Sequence, residues 1–542
     1  MNKISFDLIN KEIILKSLEL KPQNRRDFLV MSNKILGKYK INNTPTNFEL
    51  LQAYHKILEE KKYKANLKLE DILRIKKTRS LSGVVVVSVL TKPYPCPGNC
   101  LYCPTQKGMP KSYLKNEPAV MRAILNKFDP YLQTTNRLRA LKCSGHPTDK
   151  INLRTVGGTW SYYPKNYQTW FIKKIFEACN NFQKKTKIKS NLPLENLQEI
   201  NERVKTRIVQ ISVETRPDYI NQKEIKRMRK LGITKVELGV QTLDDKVLKI
   251  NNRGHGVEIT KKATVLLKDA GFKIAYQMML NLPGSSISKD LGTFKELFQN
   301  QAYRPDYLKI YPLAIVKEAS VYKLYKQGKF KPYSKDQLIK LIANIKKELP
   351  YYTRVERVIR DIPSQEIIAG GSQLSNMREY IVRYMEKENL KCKCIRCREV
   401  RDTYSDKDKP ILYREDYDSS GGKEIFLSFE NKNRTKLFSI LKLRIPAKPF
   451  LKVLKQAGII REIRTYGQQI PFSNKSKNAI QHKGLGKEIL KQAERIAFDE
   501  FDVKKMIVIS GIGVRDYFRK LGYKLSDTYM VKNIKNYVKI KV

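Results

Sequence analysis

Apolar residues recur at helical spacing through the first 80 positions, as at Ile14, Leu15 and Leu18 and again at Leu50, Leu51, Tyr54, Ile57 and Leu58. Positions three and four apart share a helix face, so this segment reads as helices with one buried stripe each. Lysine-rich stretches flank the stripes, among them Lys61–Lys62 and Lys76–Lys77–Arg79. From about residue 81 the rhythm changes. Short β-rich runs at Val84–Leu90, Ile151–Val156, Ile208–Val213, Lys235–Val240, Phe272–Met278 and Tyr307–Tyr311 alternate with helix-like stretches such as Thr169–Phe182, Gln222–Leu231 and Ile259–Ala270. Repeated strand–helix units predict a parallel α/β sheet, and six of them predict a partial (β/α)6 barrel with its site at the carboxyl ends of the strands. A second α/β region starts near 401. It reads as strands Glu424–Phe429, Leu437–Leu443 and Gly458–Arg464, a helix from Gly484, a strand at Met506–Ile509 and a short helix at Val514–Leu521.

Composition narrows the class. The chain's 542 residues exceed what one core organises, so two large domains with appendages are expected. No stretch approaches the roughly 18 uncharged apolar residues of a membrane helix. The segment Met1–Asn10 carries Asp7 and no long apolar run, so a cytoplasmic protein with no membrane partner is expected. Lys and Arg number 107 against 53 Asp and Glu, a formal charge of +54. A compositional bias toward Lys, Asn, Ile and Tyr accounts for part of this, but the imbalance points to a polyanionic partner, nucleic acid above all.

Six of the eight cysteines fall in two tight clusters, which suits metal or cluster ligation better than disulfides. The first follows the strand Val84–Leu90 as Cys96-x3-Cys100-x2-Cys103. Three thiolates on a tight loop can hold three irons of a 4Fe–4S cluster and leave the fourth open to chelate S-adenosylmethionine (SAM). A structural zinc loop is the alternative, but zinc wants four ligands and no fourth Cys or His is near in sequence. Gly157 and Gly158 after the second strand, Glu214 and Gln241 at later strand ends, and Tyr102 beside the last cysteine fit a cofactor mouth; each alone could be a turn or packing residue. The second cluster, Cys392, Cys394 and Cys397, favours zinc with a fourth ligand from elsewhere; three reduced thiols without metal is the other reading.

A different constellation lies near the carboxyl end. Gln481-His-Lys483-Gly484-Leu485-Gly486 opens an amphipathic helix and resembles the pyrophosphate-binding turn of GNAT acetyltransferases, where freed backbone N–H groups and the helix dipole face the phosphates of CoA. The preceding strand carries Glu462, Ile463, Arg464 and Thr465, suited to pairing with pantetheine amides. Tyr517 stands where a GNAT tyrosine approaches the CoA sulfur, although a core aromatic is the plain alternative.

With both constellations in this order, the sequence resembles the catalytic subunit of Elongator, the tRNA carboxymethyluridine synthases. Matching segments include Glu117–Arg122, Asp129–Gln133, Gly145–Lys150, Glu214–Asp218, Asn252–His255, Asp269–Lys273, Arg360–Pro363 and Ala493–Ala497. The resemblance implies a radical SAM domain over 81–345, a GNAT domain over 401–542, a link at 346–400 with the zinc-like cysteines, and a basic tRNA-binding segment at 1–80. It further implies that Cys96, Cys100 and Cys103 bind the cluster. Lys150, the Glu462–Thr465 strand, the Lys483–Gly486 turn and Tyr517 would contact acetyl-CoA. In that family an adenosyl radical takes hydrogen from the methyl of acetyl-CoA, the carbon radical adds to C5 of the wobble uridine in the anticodon stem-loop, and thioester hydrolysis leaves carboxymethyluridine. An electron donor is a required partner; accessory Elongator subunits are not. The short Cys96–Cys100 interval marks a bacterial or archaeal type of member. Arg464 stands where relatives often carry His, and Phe518 replaces the second of a common Tyr pair. A protein lysine acetyltransferase with a structural barrel is the competing expectation.

Overall fold

The computed structural model describes residues 6–534 apart from 42, 61–62, 77–78, 185, 187–190, 372, 374–375, 402–403, 405–407 and 468–483. Helices α1 (Phe6–Leu20), α2 (Arg25–Lys38), α3 (Asn47–Glu59) and α4 (Leu67–Leu73) come first. Their apolar stripes meet in a separate core of Ile9, Ile13, Phe28, Leu51, Tyr54 and Leu73. Thr46 and Glu49 form a capping box that fixes the start of α3. Arg74 ties the bundle to the next domain by donating from Nε to the Gly145 carbonyl, 2.7 Å.

The strands read from the sequence are present as β1 (Val85–Leu90), β2 (Lys150–Val156), β3 (Arg207–Thr215), β4 (Lys235–Gln241), β5 (Lys273–Leu280) and β6 (Tyr307–Pro312). A seventh, β7 (Arg354–Arg357), joins them from the segment read as a link, and all pair in parallel in chain order. Alternation divides each strand. Val85, Val87 and Val89 bury against the outer helices, whereas Val84, Val86 and Ser88 face the inner cavity. Because β1 and β7 are the unpaired edges, the sheet is a half-barrel with a lateral opening between them. Helices α5 (Pro118–Leu125) and α6 (Pro130–Cys143) follow β1 and pack beside it.

The second sheet contains β8 (Ile411–Ser419), β9 (Gly422–Glu430), β10 (Leu437–Ile445), β11 (Ala457–Thr465), β12 (Lys505–Val508), β13 (Lys524–Ser526) and β14 (Tyr529–Asn533), in the order β8-β9-β10-β11-β12-β14-β13. The helix Leu485–Phe501 covers it with Ile489, Leu490, Ala493 and Ala497. One register detail matters for the site. β11 pairs with β10 as far as Thr465 but with β12 only over Ala457–Ile460, so among the described residues Arg461–Thr465 has an open edge.

This sheet docks on the amino ends of the barrel strands. Asp306, just before β6, accepts from Ile274 N at 2.9 Å, Arg461 Nη1 at 3.0 Å and Lys442 Nζ at 3.1 Å. Glu424 binds Arg444 at 3.0 Å and Arg461 at 3.2 Å, and Arg444 reaches back to Asp269. Every member of this network is buried and paired, the arrangement that buried charge requires.

Candidate active site

The cysteine loop begins where β1 ends. Leu101 is pinned from both sides: its N–H donates to Asn251 O at 3.2 Å and its carbonyl accepts from Val321 N at 2.9 Å. Cys100 is buried, and Cys96 and Cys103 are half-buried. The Cys96 sulfur lies 3.7 Å from Thr159 Oγ1. Arg253 places Nη1 at 3.5 Å from the Cys100 sulfur. The neighbouring Cys103 thiol, together with this guanidinium, holds the Cys100 thiol below its usual range. Gly98 has room for no side chain, because a Cβ there would sit 2.0 Å from Arg216 Nη1. Arg216 is itself fixed by Asp218 at 2.8 and 2.9 Å. Tyr102 Oη, Arg216 Nη1 and Arg253 Nε are buried without a partner among the described residues. An unsatisfied buried polar atom costs about 1–3 kcal/mol, so this loop is built to receive a polar group, and three converging thiols suit an iron–sulfur cluster with SAM beside it.

The expected strand-end residues surround the same mouth. Gly157 adopts φ +124°, and a Cβ there would meet Thr91 Oγ1 at 2.1 Å. Gly158, at φ +85°, faces open space, with only the Lys111 carbonyl near its would-be Cβ, at 3.9 Å. Glu214 accepts from Tyr113 Oη at 2.9 Å, Gln277 Nε2 at 3.1 Å and Lys309 Nζ at 3.2 Å. Gln241 holds a left-handed backbone at φ +76°. Deeper in the lumen, burial works against the charge of Arg154, but Glu237, Glu356 and Glu214 outweigh it and keep the guanidinium protonated. Cysteine spacing and strand ends do not single out Arg216 and Arg253. Both lie in segments that carry the family resemblance, the one signal in the sequence that points to them.

One cavity of about 690 Å³ contains Cys96, Cys100, Cys103, Gly158, Glu214 and Gln241 in its wall. It runs along the half-barrel to Arg464 on β11 and to Arg396 in the segment 346–400. The cysteine loop and the strand of the second constellation are thus joined by one space.

In the second domain, Gly484 caps the helix at φ +79° and Leu485 begins it. A Cβ on Gly486 would lie 3.4 Å from Tyr517 Oη and 3.6 Å from Thr465 Oγ1, so these three residues converge beside the open edge of β11. Tyr517 is 36% exposed, which removes the reading of it as a core aromatic; Phe518 is the buried partner. Ile463 is half-buried on the same edge. The Glu462 side chain is turned away, accepting from Tyr307 Oη at the domain interface, so only its backbone is available to a ligand. Lys150 opens β2 beside Arg207, against which Gly513 of the second domain packs, and burial lowers its pKa. Gln481 and Lys483 lie outside the described residues.

The sulfurs of Cys392, Cys394 and Cys397 lie within 4.8 Å of one another, a spacing for a single ion, and no fourth protein ligand joins them among the described residues. Lys346 Nζ donates to the Cys397 sulfur at 3.5 Å. Cys179 is buried in the main core.

Residues 94–297 match the radical SAM superfamily and 305–387 the radical SAM C-terminal domain. The chain is 43% identical to the tRNA uridine(34) acetyltransferase of Methanocaldococcus infernus, over 97% of this chain and 98% of that protein. It is 35% identical to Elongator complex protein 3 of Homo sapiens, over 97% and 96%. The solved structure of the archaeal Methanocaldococcus infernus Elp3 with an N-terminal deletion (1–46) superposes with a TM-score of 0.73 at 42% identity, covering 84% of this chain and 100% of that one. Sequence, half-barrel and cysteine loop therefore agree: this chain belongs to the family of tRNA uridine(34) acetyltransferases and Elongator catalytic subunits.

Proposed function

We propose that this chain is a radical SAM enzyme that uses acetyl-CoA to build a carboxymethyl group on C5 of the wobble uridine of tRNA. The observation that carries the reading is the continuous cavity running from the cysteine loop to Arg464 on the open-edged strand. A hydrogen donor held by the second domain can meet an oxidant formed in the first inside one cavity.

Cys96, Cys100 and Cys103 would hold the 4Fe–4S cluster, with SAM between Gly157, Gly158, Glu214, Gln241 and Arg253. When bound, these groups supply a carbon-centred oxidant able to take hydrogen from an unactivated methyl group. The remaining work belongs to the protein. The open edge of β11 from Glu462 to Thr465 offers backbone amides to the pantetheine arm. Gly484, Leu485 and Gly486, with Gln481 and Lys483 before them, offer the helix start to the pyrophosphate. Tyr517 lies by Thr465 and Gly486, placed for the thioester, and Lys150 and Arg464 add positive charge along the arm. A wobble base is single-stranded and can be splayed into a pocket, with its backbone held by the chain's excess positive charge. Cys392, Cys394 and Cys397 would bind zinc with water as fourth ligand, stapling residues 346–400 between the domains. An external one-electron donor completes the system. We place the enzyme in the cytoplasm with its tRNA, acting without accessory subunits. Among the described residues no helix is long and apolar enough to cross a membrane.

Anaerobic reconstitution with iron, sulfide, reductant, SAM, acetyl-CoA and a tRNA with uridine at the wobble position tests this. Mass spectrometry of the digested nucleosides should reveal 5-carboxymethyluridine. Cys103→Ser should bind the tRNA as the parent does and yield none. Unchanged tRNA from the cluster-loaded parent protein would refute the reading.

A further inference from the structure

Three arginines at the lateral opening of the half-barrel have no counter-charge of their own among the described residues. Arg79 precedes β1, Arg122 lies on α5 and Arg137 on α6, and all three line the 690 Å³ cavity. Arg79 is exposed at the rim, and Arg122 and Arg137 are half-buried behind it. Among the described residues none of the three guanidinium groups forms an ion pair or donates a hydrogen bond. Five other arginines of this cavity are ion-paired, Arg154 with Glu237, Arg216 with Asp218, Arg354 with Glu399, Arg357 with Asp361 and Arg360 with Glu117. Arg253, Arg396 and Arg464 also line it without an ion pair among the described residues, but they stand apart from one another, Arg253 donating to Cys100 and Gly239. Asp361 is the acid that faces Arg122, and it is already committed to Arg357. Burial, then repulsion from Arg122 and Arg79, brings Arg137 down to about 10.

Half-buried like charges packed together destabilise a fold unless an anion joins them. Guanidinium forks match phosphate oxygens, often in bidentate fashion. We propose that Arg79, Arg122 and Arg137 form a phosphate-binding subsite at the mouth of the cavity, holding one phosphate of a substrate whose reacting end enters the lumen. The ligand class is a phosphate ester. Two sources offer it under the function proposed above, on which this inference rests: the RNA backbone beside the wobble base, and the phosphates of CoA.

The test uses full-length protein and the variants Arg122→Gln, Arg137→Gln and their double. In phosphate-free buffer the double variant should melt no lower than the parent, because a repulsion is removed. Pyrophosphate should raise the parent's Tm and leave the double variant's unchanged. Affinity for an unmodified tRNA transcript should fall about tenfold or more, and the slope of log K against log salt should drop by about one for each phosphate no longer neutralised. If desulfo-CoA affinity falls instead and tRNA affinity holds, the subsite stands and its phosphate is that of CoA. A double variant that binds pyrophosphate, tRNA and desulfo-CoA like the parent would overturn the proposal, as would one that melts several degrees lower with binding unchanged. Nucleoside analysis of the same parent preparation separates the two claims. A parent that modifies tRNA while the variants bind normally defeats the subsite alone; a parent that makes no product while the variants lose phosphate defeats the proposed reaction alone.

Discussion

At Gly157 the backbone sits at φ +124°, and Thr91 Oγ1, which donates to the Gly157 carbonyl at 2.9 Å, occupies the place a Cβ would take. Gly157→Ala therefore strains the backbone and pushes Thr91 out of its bond with Tyr163 Oη. The expected cost is about 1–3 kcal/mol, read as a lower Tm, together with loss of SAM binding by isothermal titration. An alanine variant with parental SAM affinity would show that the glycine serves the turn alone. The paired glycines are legible in the sequence because two in succession at a strand end have few structural uses. Arg216 and Arg253 are legible only through the family resemblance of their segments. Arg216 meets the cysteine loop at Gly98 and Arg253 meets it at Cys100, both across a long stretch of chain, and no local pattern encodes such an approach.

Elements differ in the same way. Strands that form a sustained apolar run, such as Val85–Leu90, are legible to within a residue or so of their ends. β7 reads Arg-Val-Glu-Arg and is only four residues long, and β8 reads Ile-Leu-Tyr-Arg-Glu-Asp-Tyr-Asp-Ser with most positions exposed, so neither offers a sustained apolar run. The open edge of β11 is also beyond the sequence, since it arises from where β12 stops pairing. The helix start beside that edge makes a sharp test. Gly486→Val would drive a branched side chain onto Tyr517 Oη and Thr465 Oγ1 while leaving the helix able to form. CoA affinity by calorimetry should fall at least about tenfold, a loss of about 1.4 kcal/mol, with the far-ultraviolet circular dichroism unchanged. Parental affinity would move the CoA site elsewhere.

For the whole molecule, the docking of the second sheet on the amino ends of the barrel strands fixes the distance between the two chemistries. Lys268 is buried in that interface, donating to Arg304 O at 2.7 Å and to Ser419 Oγ at 2.5 Å, and burial brings its pKa down to about 7, against the pull of Glu424. In the unfolded chain a lysine titrates near 10.4. Between about pH 7 and 10 the unfolded state therefore binds a proton that the folded state has released, and stability rises with pH across that window. Tm measured from pH 7 to 9 should climb less in Lys268→Met than in the parent; equal slopes would contradict the burial argument. The claim on which the rest depends is that one cavity lets the oxidant made at the cysteine loop reach an acetyl group held by the second domain. Reconstituted enzyme supplied with trideuteroacetyl-CoA, SAM, reductant and tRNA tests it most directly. Mass spectrometry should find one deuterium in the 5′-deoxyadenosine released, and 5′-deoxyadenosine that carries none would contradict the account.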